Sequence, residues 1–389
     1  MHLPSSAIAV SGTTDPAFAL VAEVFRENFR PEAASPEIGA AFAVYADGRC
    51  VADLWGGLRD PATQAPWTPD TLVNVWSTTK GVMAIAVAQL VAARKLDYDA
   101  PVARYWPEFA AEGKDAITVG QVMSHQSGLN GFVVPTTLED FGDWALVTGR
   151  LAAQAPFWPP GEKNSYHAMT YGFLAGEIAR RASGLMPRDL IAAAIAGPLD
   201  ADFQIGAAQV DWERVAPLTP PAPPPAGAPA AAFDPLAVAA VVNPQLRGDD
   251  ANRADWRSAQ IPAGNGHATA RALARIYGAL ANGGRLDGAS LLSPAGIDAM
   301  TAVRTDRDDL LLGAGAWAAG MMINRGGLFG PGPRAYGHCG WGGSYGYADP
   351  DLQVAAGYTP NRMNAGVLQD PRGMALAAAV AECAGRAGR

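Results

Sequence analysis

Runs with strand character stand near both ends of this chain, and what lies between them reads mainly as helix. Near the start, "GAAFAVYADGRCVADLWGG" is two β-rich runs joined at Asp47-Gly48, a hairpin signal. Near the other end, "HCGWGGSYGYADPDLQVAAGYTPN" holds two short β-rich runs around an Asp-Pro-Asp turn, and an Ala-rich helix follows. This distribution predicts one sheet assembled from both termini and interrupted by a helical insertion. Ahead of the hairpin, "PAFALVAEVFRENF" has the apolar spacing of an amphipathic helix, and in "TYGFLAGEIARRASG" Gly184 is placed to stop another. The stretch 218–235, "LTPPAPPPAGAPAAAFDP", is Pro/Ala-rich and predicts a semi-rigid surface excursion.

Bulk properties narrow the function classes. With 389 residues, 49% of them hydrophobic and 17% charged, the chain has enough material for two packed units and no bias toward disorder. A net charge of -8 leaves no basic face for a phosphate backbone, and lysine occurs only at 80, 95, 114 and 163, which argues against a nucleic-acid partner. Cys50, Cys339 and Cys383 are widely spaced without a CxxC, which argues against a disulfide framework and a zinc site. The opening "MHLPSSAIAVSGTTDPAF" lacks a basic region followed by a long apolar one, and no run approaches the roughly 20 apolar residues of a membrane helix. The expectation is a cytoplasmic protein with no membrane partner.

The stretch "NVWSTTKGVMAIAVAQL" raises a chemical question. Val82, Met83, Ile85, Ala86, Leu90 and Val91 recur at helical spacing, so Ser77 falls at or near an N-cap. Lys80 then sits in the first turn, where the helix macrodipole is already positive and acidic residues are the usual choice. Spacing of i to i+3 lets the two side chains meet. A buried lysine opposed by the helix terminus loses its charge and can take the proton of a serine hydroxyl. The bland alternative is a serine cap followed by a solvated lysine, and an S-x-x-K tetrapeptide alone does not decide between them.

Further segments follow at ordered distances: "MSHQSGLNGF", then "WPPGEKNSYHAMTYGFLAGEIARR" with Tyr166, then "IPAGNGHATARALARIYGALANGGRLDG" and "YGHCGWGGSYGYADP". Together these resemble the serine hydrolases related to class C β-lactamases and penicillin-binding proteins, and most closely the family VIII carboxylesterases. The resemblance spans nearly the whole chain except the Pro-rich excursion. It implies that Ser77 is the nucleophile forming an acyl-enzyme, that Lys80 keeps it activated, and that Tyr166 shares a proton with both and passes it to the departing alcohol. It places His338-Cys339-Gly340 at the K-T-G or H-x-G motif of a strand lining the site. The N–H of Trp341 would then join that of Ser77 in holding the oxyanion, with Ser344 as the alternative donor if the register slides.

Two departures from the β-lactamase pattern bear on substrate. Where K-T-G has a lysine to meet a carboxylate, this chain has His338, mostly neutral at pH 7 unless perturbed. Where Y-x-N has an amide, it has Ala168. Both changes favour esters over penicillins. Aromatic residues adjoin the motifs at Trp76, Phe157, Trp158, Trp341 and Tyr345, as core or as cleft lining that would favour small acyl groups.

Two decoys are set aside. Gly342-Gly343-Ser344-Tyr345-Gly346 is formally G-x-S-x-G, but that hydrolase fold needs a histidine after its serine, and His338 is the last in the chain. His2, His125, His167 and His267 have no metal-ligand spacing, so no metal or other cofactor is implied. His125 and Ser127 read as residues tying a loop end, and His167 as either tuning Tyr166 or facing solvent. The reading is a mixed α/β (α+β) fold of the serine β-lactamase/DD-peptidase type. An antiparallel sheet flanked by helices is built from 1–95 and 263–389, and a mostly helical domain spans 96–262. The site lies in the cleft between them and hydrolyses short-chain esters. A β-lactamase, a D-amino-acid-specific peptidase and an acyltransferase use the same machinery; a non-catalytic binding protein would have no use for Ser77, Lys80 and Tyr166 together.

Overall fold

The structure is a computed structural model that describes residues 9–221, 234–366, 368 and 370–387. Its main sheet is antiparallel throughout and runs in the order Val10–Thr14, Arg49–Asp60, Gly39–Ala46, Val354–Pro360, Tyr345–Asp349, Tyr336–Cys339 and Met322–Ile323, with Ala65–Pro66 beside Arg49–Asp60. The central join pairs Gly39–Ala46 with Val354–Pro360, so both halves of the chain meet in mid-sheet. The hairpin turns through Asp47 at φ 48° and Gly48 at φ 72°, two left-handed residues whose twist matches that of the strands. As the sequence indicates, Gly184 ends the Thr170–Ser183 helix in the left-handed conformation.

Strand alternation explains how one sheet serves two cores. On Gly39–Ala46, Ala41, Ala43 and Tyr45 enter one cluster, while Ala40, Phe42, Val44 and Ala46 enter the other. Helices cover both faces. Ala19–Glu27 packs with the C-terminal helix Pro371–Ala387 on one side, and Ala270–Ala281 lies across Gly39–Ala46 and Val354–Pro360 on the other. At Gly357 a Cβ would come within 2.4 Å of the Ala270 carbonyl, so only glycine lets that helix approach so closely.

The helix Thr78–Ala92 is almost wholly buried and apolar on every side, as expected of a helix enclosed by protein. It packs between the strand Tyr336–Cys339 and the helix Thr170–Ser183. The strand leading into it, Leu72–Asn74, belongs to a second sheet in the order Phe203–Ile205, Gly266–Ala268, Leu72–Asn74 and Val215–Ala216. The stretch 96–262 thus carries short strands as well as helices. Residues 222–233 of the Pro-rich stretch lie outside the described residues. Among the described residues, no helix is long and apolar enough to cross a membrane.

Candidate active site

Three side chains named from the sequence converge at the start of the Thr78–Ala92 helix. Ser77 is its N-cap, yet the Ser77 side chain makes no capping hydrogen bond. Its Oγ lies 2.9 Å from Lys80 Nζ, which also donates to the Ala263 carbonyl at 2.8 Å. Lys80 is 0% exposed, and burial alone drives its pKa well below the ordinary lysine value. The buried amine is therefore held close to Ser77 with no carboxylate to keep it charged.

Tyr166 lies against this pair, with Lys80 Nζ 4.8 Å from its ring centroid. Burial raises the phenol pKa, so the group is protonated at neutral pH; the Ser77 hydroxyl beside it acts in the opposite sense. The Tyr166 hydroxyl is nevertheless buried with no completed hydrogen bond among the described residues. Its backbone is fixed from behind: Asp309 accepts the Tyr166 N–H at 3.0 Å and the Asn164 amide at 2.9 Å. Trp317 stacks on the Tyr166 ring at 5.6 Å. Neither Asp309 nor Trp317 carries a recognisable local signal, because their role depends on a loop more than 140 residues from Tyr166 in the sequence.

His338 lies on the strand facing the same space, buried, its ring 6.2 Å from that of Tyr166. Its Nδ1 donates to the Cys339 carbonyl at 2.7 Å, which leaves Nε2 as a buried acceptor with no hydrogen-bond partner among the described residues. Burial and the neighbouring Lys80 depress its pKa to about 3, so the imidazole is neutral. Next on the strand, a Cβ on Gly340 would fall 2.2 Å from the Val75 carbonyl and 2.3 Å from Ser344 Oγ. That tight seat presses the end of the strand against the start of the helix. Ser344 is part of the seat: its Oγ donates to the Val75 carbonyl at 2.8 Å and lies 3.1 Å from Thr78 Oγ1, with no histidine partner. The G-x-S-x-G decoy thus has no base.

The turn beyond Gly340 presents Trp341, whose N–H, like that of Ser77, donates to no backbone carbonyl among the described residues. Trp76 stands between the aromatic neighbours Trp256, at 5.0 Å, and Trp341, at 5.1 Å, forming a wall beside Ser77. Trp76 itself takes φ 44°, a left-handed conformation that a bulky residue adopts only when its surroundings impose it. The strain lies immediately before Ser77.

The histidines near Tyr166 need one correction. His167 does not face solvent; it is fully buried, with Nδ1 donating to the Ser165 carbonyl at 2.7 Å and Nε2 accepting from Ser127 Oγ at 2.7 Å. His125 accepts the His167 N–H at 3.2 Å and packs its ring 4.9 Å from Tyr166, so it and Ser127 tie this loop together as the sequence suggests.

The chain is similar to known proteins in sequence and in fold. The profile of a family described as Beta-lactamase matches residues 25–380. Esterase/beta-lactamase LipL of Mycobacterium tuberculosis (strain ATCC 25618 / H37Rv) is 38% identical over 383 residues, 92% of this chain and 85% of that protein. The crystal structure of a family VIII carboxylesterase superposes with a TM-score of 0.91 at 40% identity, covering 97% of this chain and 100% of that one. A novel penicillin-binding protein homolog from Caulobacter crescentus gives a TM-score of 0.90 at 43% identity, covering 96% and 100%.

Proposed function

Since the chain belongs to the beta-lactamase family, we propose that its Ser77 centre is that of a serine carboxylesterase hydrolysing small carboxylic esters through an acyl-enzyme. The observation that carries this reading is the buried Lys80 amine 2.9 Å from Ser77 Oγ. The Ala263 carbonyl can only accept, so it occupies one N–H of the neutral amine and leaves the lone pair free to face the serine. Ser77 Oγ attacks the ester carbonyl carbon, and its proton passes to Lys80. The N–H groups of Ser77 and Trp341 hold the oxyanion. As the tetrahedral adduct collapses, the departing alkoxide takes the phenolic proton of Tyr166, which recovers one from the Lys80 ammonium. Water repeats the cycle on the acyl-enzyme. No metal or other cofactor enters any step.

The neutral His338 favours esters over β-lactams, because a carboxylate brought against it finds no cation. A fluorophosphonate probe tests the nucleophile. Intact-mass and peptide analysis should place the adduct on Ser77, Ser77→Ala should take none, and Ser344→Ala should label. Adduct formation in Ser77→Ala would sink the assignment. With p-nitrophenyl butyrate and nitrocefin run side by side on the wild type, faster turnover of nitrocefin would move the substrate class to β-lactams. The Gly340 seat gives a second check: the Cβ of Gly340→Ala displaces the strand from Val75, and kcat/KM is expected to fall by about 100-fold.

A further inference from the structure

Behind the turn that presents Trp341 lies a buried charge cluster that the reaction does not touch. Arg372, 3% exposed, donates through Nη1 to Glu37 Oε2 at 2.7 Å and through Nη2 to Asp370 Oδ2 at 2.7 Å, while its Nε reaches Asp370 Oδ1 at 3.1 Å. The same Nη2 donates to the Arg362 carbonyl at 2.9 Å and to the Gly342 carbonyl at 3.3 Å. Tyr358 donates its hydroxyl to the other oxygen of Glu37. Each nitrogen of this fork is engaged, by one of the two carboxylates that hold it or by the backbone of the neighbouring loops.

The cluster meets the turn at the two residues after Trp341. Gly342 accepts from Arg372 and, at 3.0 Å, from the Asn364 N–H. Gly343, at φ 113°, has Asp370 Oδ2 where a Cβ would stand, 2.0 Å away. A guanidinium buried with two carboxylates is a poor source of net stability, since desolvation offsets most of the attraction. What it does supply is fixed geometry, because a planar fork with five donors can be satisfied in one arrangement only.

We infer that Arg372, held by Glu37 and Asp370, is a positioning residue that fixes the Trp341 N–H for the oxyanion. The inference rests on the reading of Trp341 as the second oxyanion donor. It assigns a task in the reaction to residues that never approach the substrate. An oxyanion hole acts only when its donors are preorganised, so loosening the turn weakens binding of the transition state more than that of the ground-state ester.

The experiment compares wild type with Arg372→Lys, which keeps the charge and loses the fork, and with Asp370→Asn, a milder change on the same contact. For each, kcat and KM on p-nitrophenyl butyrate, the inhibition constant of an alkyl boronic acid that forms an oxyanion-like adduct with Ser77, and the thermal midpoint are measured. The expected result is a kcat lower by roughly 10- to 100-fold, KM within about twofold, and boronate affinity falling by the same factor as kcat. Kcat and boronate affinity within twofold of wild type in both variants overturn the inference, as does a loss of activity that only follows the folded fraction. If Arg372→Lys does not fold, Asp370→Asn alone decides. Failure of the wild type to bind the boronate points instead to the Ser77 mechanism, and so separates the two readings.

Discussion

Replacing Lys80 with methionine is expected to lower kcat/KM on p-nitrophenyl butyrate by about 10³- to 10⁴-fold while the thermal midpoint holds or rises. The two halves of this expectation have one cause. Burial holds the folded-state pKa of Lys80 well below its value in the unfolded chain. Between those two values the unfolded chain keeps the proton and the folded one does not, so stability rises with pH across that window and is least below the folded value. At neutral pH the wild type therefore carries a cost for burying this amine. Methionine fills similar space without it, at the expense of the hydrogen bonds to Ser77 Oγ and the Ala263 carbonyl. If Lys80 is the proposed base, the wild-type kcat/KM should also fall on the acid side, as the amine is protonated. An active Lys80→Met variant, within tenfold of wild type, would falsify the general-base role.

Acid should also unfold this protein abruptly, with the thermal midpoint dropping steeply between pH 7 and pH 5. His125, His167, His267 and His338 are all fully or almost fully buried. Burial lowers the pKa of His125 far below the ordinary value and brings His167 and His267 to about 4 and His338 to about 3. Below about pH 6.5 the unfolded chain binds protons that the folded one refuses, so the stability present above that pH is lost as it falls toward the folded values. His167, His267 and His338 each remove about 2 kcal/mol by pH 5, and His125 acts in the same direction. Glu37 opposes this, since burial raises its carboxyl to about 7 and the folded state then gains a proton first. One carboxyl offsets about one histidine, leaving a loss on the order of 5 kcal/mol, comparable with the whole stability of many domains. A midpoint by differential scanning calorimetry that stays flat from pH 7 to pH 5 would show that these imidazoles are not held neutral.

The parts of this architecture that depend on neighbours in sequence were open to reading without coordinates. Asp47-Gly48 announces its turn, Gly184 its helix end, and Ser77 with Lys80 a shared helix face, because each rests on local backbone preference or on spacing. Tyr166 and His338 were legible only through the pattern of a whole family. What stayed hidden is made by distant contacts. Nothing around residue 263 says that its carbonyl will hold the Lys80 amine. Likewise, nothing around Asp309 says that it will cap the Tyr166 loop, and nothing in "VNVWS" says that Trp76 will be forced into a left-handed conformation. The spacing that makes Ser77 an N-cap was right about position and silent about orientation, since the hydroxyl turns to Lys80 instead of to the helix N–H groups.

The central pairing of Gly39–Ala46 with Val354–Pro360 has a consequence for how the molecule comes into being. During synthesis Ser77 and Lys80 leave the ribosome more than 250 residues before the strand carrying His338 and the Gly340 that follows it. Until then Gly39–Ala46 has no partner on one edge, and contacts of such long sequence separation form slowly. A nascent or prematurely terminated chain thus holds the serine and its amine without the strand that completes their pocket. The proposed Ser77 centre therefore takes its full shape only once the second half of the sheet has joined the first.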